Sequence, residues 1–155
     1  MLASEVMSTR VIKISPDISI STIMRSYYAK DEYQAKLIYV VDGDEKLLGL
    51  ATAYDIFKFA LPDECILEDA YNNTQKQDKS FFCFIDSYNK KLNSKITELM
   101  TRDCHFVRTG DHFSNAINLI VKHKITAVPV LNSSEMLVGE ITRGAIGHYL
   151  TSLTK

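Results

Sequence analysis

Long apolar runs are missing from this 155-residue chain. The longest, such as Phe81–Ile85, hold five residues, against the roughly 20 a helix needs to span a bilayer. Near the N-terminus Glu5 and Arg10 interrupt any apolar leader, so no secretory signal is read there. Cysteine is scarce: Cys65, Cys83 and Cys104 are odd in number and lack C-x-x-C spacing. That pattern suits a reducing compartment and predicts neither a disulfide nor a zinc framework. An excess of charge of one sign is also lacking. Eighteen Lys and Arg against nineteen Asp and Glu give a net charge of −1, which disfavours nucleic acid or an anionic membrane as partner. The expectation is a cytoplasmic, non-membrane protein.

Catalytic signatures are absent too. The sequence has no G-x-x-x-x-G-K-[ST] loop and no G-x-G-x-x-G. No Ser-His-Asp or paired-carboxylate constellation can be assembled from it. Cys104 and His105 are adjacent, yet neither has a partner at ligand spacing. The chain is therefore read as no enzyme, with no catalytic residue, no metal ligand and no required cofactor. A composition of 46% hydrophobic and 24% charged residues excludes wholesale disorder. The length fits one compact domain or two small lobes sharing a core.

What the chain does have is an internal repeat. Ser4-Glu5-Val6-Met7-Ser8 aligns with Thr97-Glu98-Leu99-Met100-Thr101 at a shift of 93, every position identical or chemically close. At the same shift Ile20, Ile23, Met24, Tyr27 and Tyr28 meet Phe113, Ala116, Ile117, Ile120 and Val121. Each set is the apolar stripe of an amphipathic helix. Further on the shift becomes 90, and Val40, Glu45, Leu47, Gly49, Thr52 and Ile56 meet identical residues at 130, 135, 137, 139, 142 and 146.

Both copies spell the same unit. A strand (Val11–Ile14; Phe106–Val107) leads through a turn into the amphipathic helix. A second strand (Leu37–Val41; Ala127–Leu131) turns at Asp42-Gly43-Asp44 or Asn132-Ser133-Ser134 into a third (Leu47–Ala51; Leu137–Ile141). A last helix starts after Thr52 and after Thr142. The fold class is α+β: two β-α-β-β-α repeats, residues 1–60 and 95–155, packed about a pseudo-twofold axis because one copy cannot bury its own sheet. Residues 61–94 belong to neither copy. Pro62–Lys79 reads as an exposed loop or frayed helix. Ser80–Leu92 reads as a helix that either covers an open edge of the core or forms a lid or partner-docking surface.

The duplication resembles a tandem pair of cystathionine-β-synthase (CBS) domains, a Bateman module. The matching residues are Val6-Met7-Ser8 and Leu99-Met100-Thr101, Ile14-Ser15-Pro16-Asp17, Val128-Pro129-Val130, Gly49 through Asp55, and Gly139-Glu140-Ile141-Thr142. The resemblance spans about three quarters of the chain and departs at Tyr39, where the second copy has Pro129. It implies a sensor of an adenosine-containing small molecule (AMP, ADP, ATP or S-adenosylmethionine), bound in clefts between the repeats. It also implies a homodimer and a regulated protein partner.

By that resemblance, Thr52 and Asp55 clamp ribose and phosphate in the G-h-x-[ST]-x-x-D motif. Thr52 at a helix start sits beside free N–H groups suited to phosphate, and Asp55 can accept from both ribose hydroxyls. The same T-x-x-D spacing also reads as a capping box. The second copy keeps Thr142 but has Ala145 at the carboxylate position. Two lost charged hydrogen bonds at about 1.5–3 kcal/mol each would weaken that site by over a hundredfold. Arg143 beside it is a phosphate contact or a solvated arginine. The adenine slot of the first copy is expected to involve Ile12, Ile14, Ile38 and Tyr39, which otherwise are strand residues facing the core. Lys36 is a phosphate contact or a plain surface lysine. The alternative function is a structural dimerisation module that binds no ligand.

Overall fold

The computed structural model describes residues 1–28, 37–61, 63–65 and 73–154. The chain runs through α1 (Ala3–Val6), β1 (Ile12–Ile14) and α2 (Ile20–Ile23), which continues as a π-helical stretch, Met24–Tyr28. Then come β2 (Ile38–Val41), β3 (Leu47–Ala51), α3 (Ala53–Ala60), a 3₁₀ turn (Asp63–Cys65) and α4 (Thr74–Lys91). A second 3₁₀ turn (Ile96–Glu98) leads to β4 (Val107–Arg108), α5 (Phe113–His123), β5 (Ala127–Leu131), β6 (Leu137–Thr142) and α6 (Arg143–Ser152). Two three-stranded sheets result, ordered β1-β2-β3 and β4-β5-β6. The first pair in each sheet is parallel, and β5 runs antiparallel to β6.

The duplication is visible in backbone detail. Asp42 and Asn132 each fold their hairpin by accepting two N–H bonds at one side-chain oxygen, from residues 44 and 46 and from residues 134 and 136. Three residues on, Glu45 and Glu135 both take φ of 62°. Each then pairs with a cation of its copy's first strand, Lys13 at 3.3 Å and Arg108 at 2.9 Å.

By contact the chain divides into two compact units, and neither is one repeat. One comprises Met1–Ser15, Leu37–Leu50 and Thr101–Lys155; the other comprises Pro16–Lys36 and Ala51–Met100. The leading segments explain this interleaving, because each copy lends its own to the other. Ala3 of the first copy is fully buried among Val107, Phe113, Ala116 and Ile120 of the second. Its N–H bonds to the Asp111 carbonyl at 2.8 Å, while the Phe113 N–H bonds to the Met1 carbonyl at 3.0 Å. Conversely, buried Ile96 of the second copy donates to the Ile18 carbonyl at 3.0 Å, and Lys95 pairs with Asp17 at 3.0 Å. Ser8 exchanges two backbone bonds with Glu140, at 2.8 and 2.9 Å, and Thr101 exchanges two with Leu50, at 2.8 and 3.0 Å.

Within the first unit, both sheets contribute to one apolar cluster of Leu37, Tyr39, Val41, Ala127, Leu131 and Leu137. The second unit holds α2, α3 and α4. Asn73 caps α4 by accepting from the Lys76 N–H at 3.1 Å, so the helix starts inside the stretch read as loop or frayed helix. The cysteine expectation is corrected: Cys65 and Cys83 form a disulfide, and only Cys104 is a free thiol. An odd count leaves room for one bridge, and the fold brings these two Cα atoms to 5.4 Å.

Candidate functional site

The T-x-x-D motif lies in the second unit at the start of α3. Thr52 is extended (φ −116°, ψ 169°), and its Oγ1 accepts from the Asp55 N–H at 3.2 Å. Asp55 Oδ2 in turn accepts from the Thr52 N–H at 2.7 Å and from the Thr52 hydroxyl at 2.8 Å. The capping box is therefore formed. Both protein bonds converge on Oδ2, and Oδ1 accepts none from a described residue. A carboxylate held this way is fixed in rotamer, half-buried, beside a helix start whose first N–H groups have no intrahelical acceptor.

The second copy's counterpart lies in the first unit and is simpler. Thr142 Oγ1 accepts from the Ala145 N–H at 3.0 Å, with no carboxylate to complete the box. Arg143 reaches back to the end of α5. Its Nε donates to the Ile125 carbonyl at 2.9 Å and its Nη2 to the Lys124 carbonyl at 2.8 Å. Lys124 has just turned left-handed there (φ 55°), leaving carbonyls that the helix cannot satisfy. Nothing in spacing alone assigned Arg143 this capping role, because its acceptors lie 18 and 19 residues earlier.

Of the expected slot residues, Ile12 is half-buried and pairs in register with Ile38. Ile14, Ile38 and Tyr39 are buried. The Tyr39 hydroxyl donates to Glu140 Oε2 at 2.8 Å, and Glu140 is the buried charged residue of the described core. Burial first, then the charge and hydrogen bond of Glu140 and the nearby Cys104, push the Tyr39 hydroxyl well above its ordinary pKa. Cys104 donates to the Thr101 carbonyl at 3.3 Å, and burial, then Asp103, push its thiol up as well. Lys36 lies outside the described residues.

No group of three His, Cys, Asp or Glu is placed to hold a metal among the described residues. His105 does meet His123, with rings stacked 3.7 Å apart. A cavity of about 400 Å³ in the first unit, lined by Leu47, Leu48, Phe106, Leu131, Lys46 and Arg102 among others, contains none of the expected site residues. No described helix is long and apolar enough to cross a membrane.

Comparison with known proteins fits the duplicated architecture. The family model described as CBS domain matches residues 3–62 and 96–151. A homoserine O-acetyltransferase of Methanobrevibacter ruminantium is 28% identical over 138 residues, covering 88% of this chain and 22% of that protein. The crystal structure of CBSX2 in complex with AMP is similar at a TM-score of 0.71 and 19% identity, covering 99% of this chain and 98% of that one. The CBS domain pair of protein MJ0100, in complex with 5′-methylthioadenosine and S-adenosyl-L-methionine, is similar at a TM-score of 0.65 and 18% identity, covering 98% and 97%. The chain spans less than half the length of the curated relatives it matches.

Proposed function

The chain belongs to the CBS-domain family, and from that premise we propose that it is a regulatory module that binds an adenosine-containing ligand and performs no catalysis itself. Two similar structures were solved with such ligands, AMP in one and 5′-methylthioadenosine with S-adenosylmethionine in the other. The observation that carries the reading is the capping box at α3. By drawing both backbone and hydroxyl bonds to Oδ2, it presents Asp55 with its second oxygen open for a ribose hydroxyl, beside a helix start suited to phosphate. Thr52 and Asp55 are thus the proposed clamp, and the copy with Ala145 is the weaker site. Cap and clamp are compatible roles for one carboxylate.

The test is calorimetric titration with AMP, ADP, ATP and S-adenosylmethionine. Asp55→Asn is the informative variant, since its amide oxygen still accepts the Thr52 N–H while the charge is gone. The expectation is an affinity loss of about ten- to a hundredfold and a smaller change in unliganded stability than the ~0.5–2 kcal/mol of a lost cap. Equal affinity of the two proteins would sink the clamp. Absence of binding by all four ligands to the wild type would favour the ligand-free dimerisation module.

The same reading includes a homodimer built through the helices. Tyr54 and Phe57 on α3, and Val121 on α5, leave large apolar surfaces in solvent. Sedimentation should show dimer at tens of micromolar, roughly the range where a micromolar complex forms.

A further inference from the structure

We propose that Cys65 and Cys83 are a reversible thiol–disulfide pair that fastens α4 to the turn after α3 when oxidised and lets it detach when reduced. Little of α4 is packed into a core. α4 is 18 residues long and has no buried residue. Phe81, Phe82 and Ile85 face solvent, and its inward side offers half-buried Ser80, Cys83, Phe84, Ser87, Tyr88 and Lys91. A helix without a buried face gains little from tertiary packing, the main source of helical stability in proteins.

Among the described residues it is tied to other elements at two places, and Lys76 and Gln77 near its start are engaged as well. At the C-terminal end the Lys91 ammonium donates to the Phe59 carbonyl and sits 4.6 Å from the centre of the Phe59 ring. Just beyond, the Leu92 carbonyl accepts from the Ser21 N–H at 2.9 Å. In the middle, the disulfide joins Cys83 to Cys65, and the Ser80 hydroxyl donates to the Cys65 carbonyl at 2.5 Å. With the disulfide broken, the Ser80 hydroxyl still bonds the middle of the helix to that turn, and the covalent tie is gone.

The chemistry favours attack at one sulfur. Cys83 is half-buried, whereas Cys65 is 1% exposed. A thiolate of a dithiol reductant attacks Cys83 Sγ, and the electron pair of the breaking S–S bond passes to Cys65 Sγ, which takes a proton. The reductant's second thiol then attacks the mixed disulfide and releases Cys83 as a thiol. Two electrons and two protons have moved to the protein, and the reductant leaves as a disulfide. Cys104 takes no part, since it donates to the Thr101 carbonyl and belongs to the other compact unit.

The full chain is incubated in oxidised or reduced dithiothreitol, quenched, denatured and alkylated with N-ethylmaleimide. Intact mass should show one adduct after oxidation, at Cys104, and three after reduction, with one again on reoxidation. Native hydrogen exchange on the same two states should show residues 74–85 exchanging about tenfold faster or more when reduced, while β5 and β6 are unchanged. Cys83→Ser, and separately Cys65→Ser, should exchange like the reduced protein in either buffer. The proposal is overturned by three adducts under oxidising conditions, by a bond that resists reduction until the whole chain unfolds, or by equal exchange of 74–85 in the two states.

Discussion

Replacing Tyr39 with Phe removes one oxygen from the centre of the first unit and nothing else. The ring stays, so no cavity opens, and the loss is confined to the 2.8 Å bond donated to Glu140. That bond joins two residues 101 positions apart and ties β2 to β6. Its acceptor is a buried charged group, for which a hydrogen bond is worth about 1.5–3 kcal/mol. For a chain of this size that corresponds to a fall of roughly 3–12 °C in Tm.

The pH dependence gives a second, independent reading of the same contact. The folded pKa of Tyr39 is raised, so its contribution is fully present below the unfolded tyrosine pKa of about 10 and is lost as pH rises beyond it. Each further pH unit should erode about 1.4 kcal/mol of wild-type stability through this one group. Tyr39→Phe should lack that component. Urea denaturation of both proteins between pH 8 and 11 measures the difference, which should be largest at pH 8 and shrink above pH 10. Equal midpoints at pH 8, or parallel curves up to pH 11, would refute the reasoning. Glu140→Gln keeps an acceptor for the hydroxyl and should lose less than Tyr39→Phe.

Other substitutions test other contacts. Gly139→Ala should destabilise by about 1–3 kcal/mol, since its Cβ would fall 2.8 Å from the Ser8 carbonyl and 2.7 Å from Met7 Sδ; urea midpoints report it. Lys124→Gly should stabilise by about 0.5–1 kcal/mol, because glycine adopts φ of 55° without strain; thermal denaturation checks this. Arg143→Ala, which frees two carbonyls at the end of α5, should cost about 1 kcal/mol at this exposed position, again read from the thermal midpoint.

Which features were legible in the sequence follows from the range of the interactions. The strands Ala127–Leu131 and Leu47–Ala51 and the helix starts after Thr52 and Thr142 came from period and turn chemistry, and they stand where expected. The shift between copies found Glu45 and Glu135, which turn out to share a left-handed backbone. The polarity of Pro62–Lys79 left loop and frayed helix both open, and the cap at Asn73 is recognisable only once the helix behind it is known. The 18-residue separation of Cys65 and Cys83 says nothing about proximity in space. Tyr39 and Glu140, or Arg143 and the carbonyls of α5, meet only after the sheets and helices have assembled. Short-range chemistry was readable, whereas partners chosen by tertiary packing were not.

The exchanged leading segments have a consequence for synthesis on the ribosome. Ala3 finds its acceptor at Asp111 and Met1 its donor at Phe113, and the Ser8 backbone pairs with that of Glu140. The first compact unit draws on three separate stretches of chain, the last of which starts at Thr101. As the polypeptide emerges N-terminus first, its early strands therefore wait, with apolar faces uncovered, for the final third to be made. Contacts of such sequence separation are slow to close. Residues 1–60 expressed alone should be less soluble than residues 1–155. Supplying residues 95–155 in trans should rescue them, which is measurable as soluble yield with the pieces expressed separately and together.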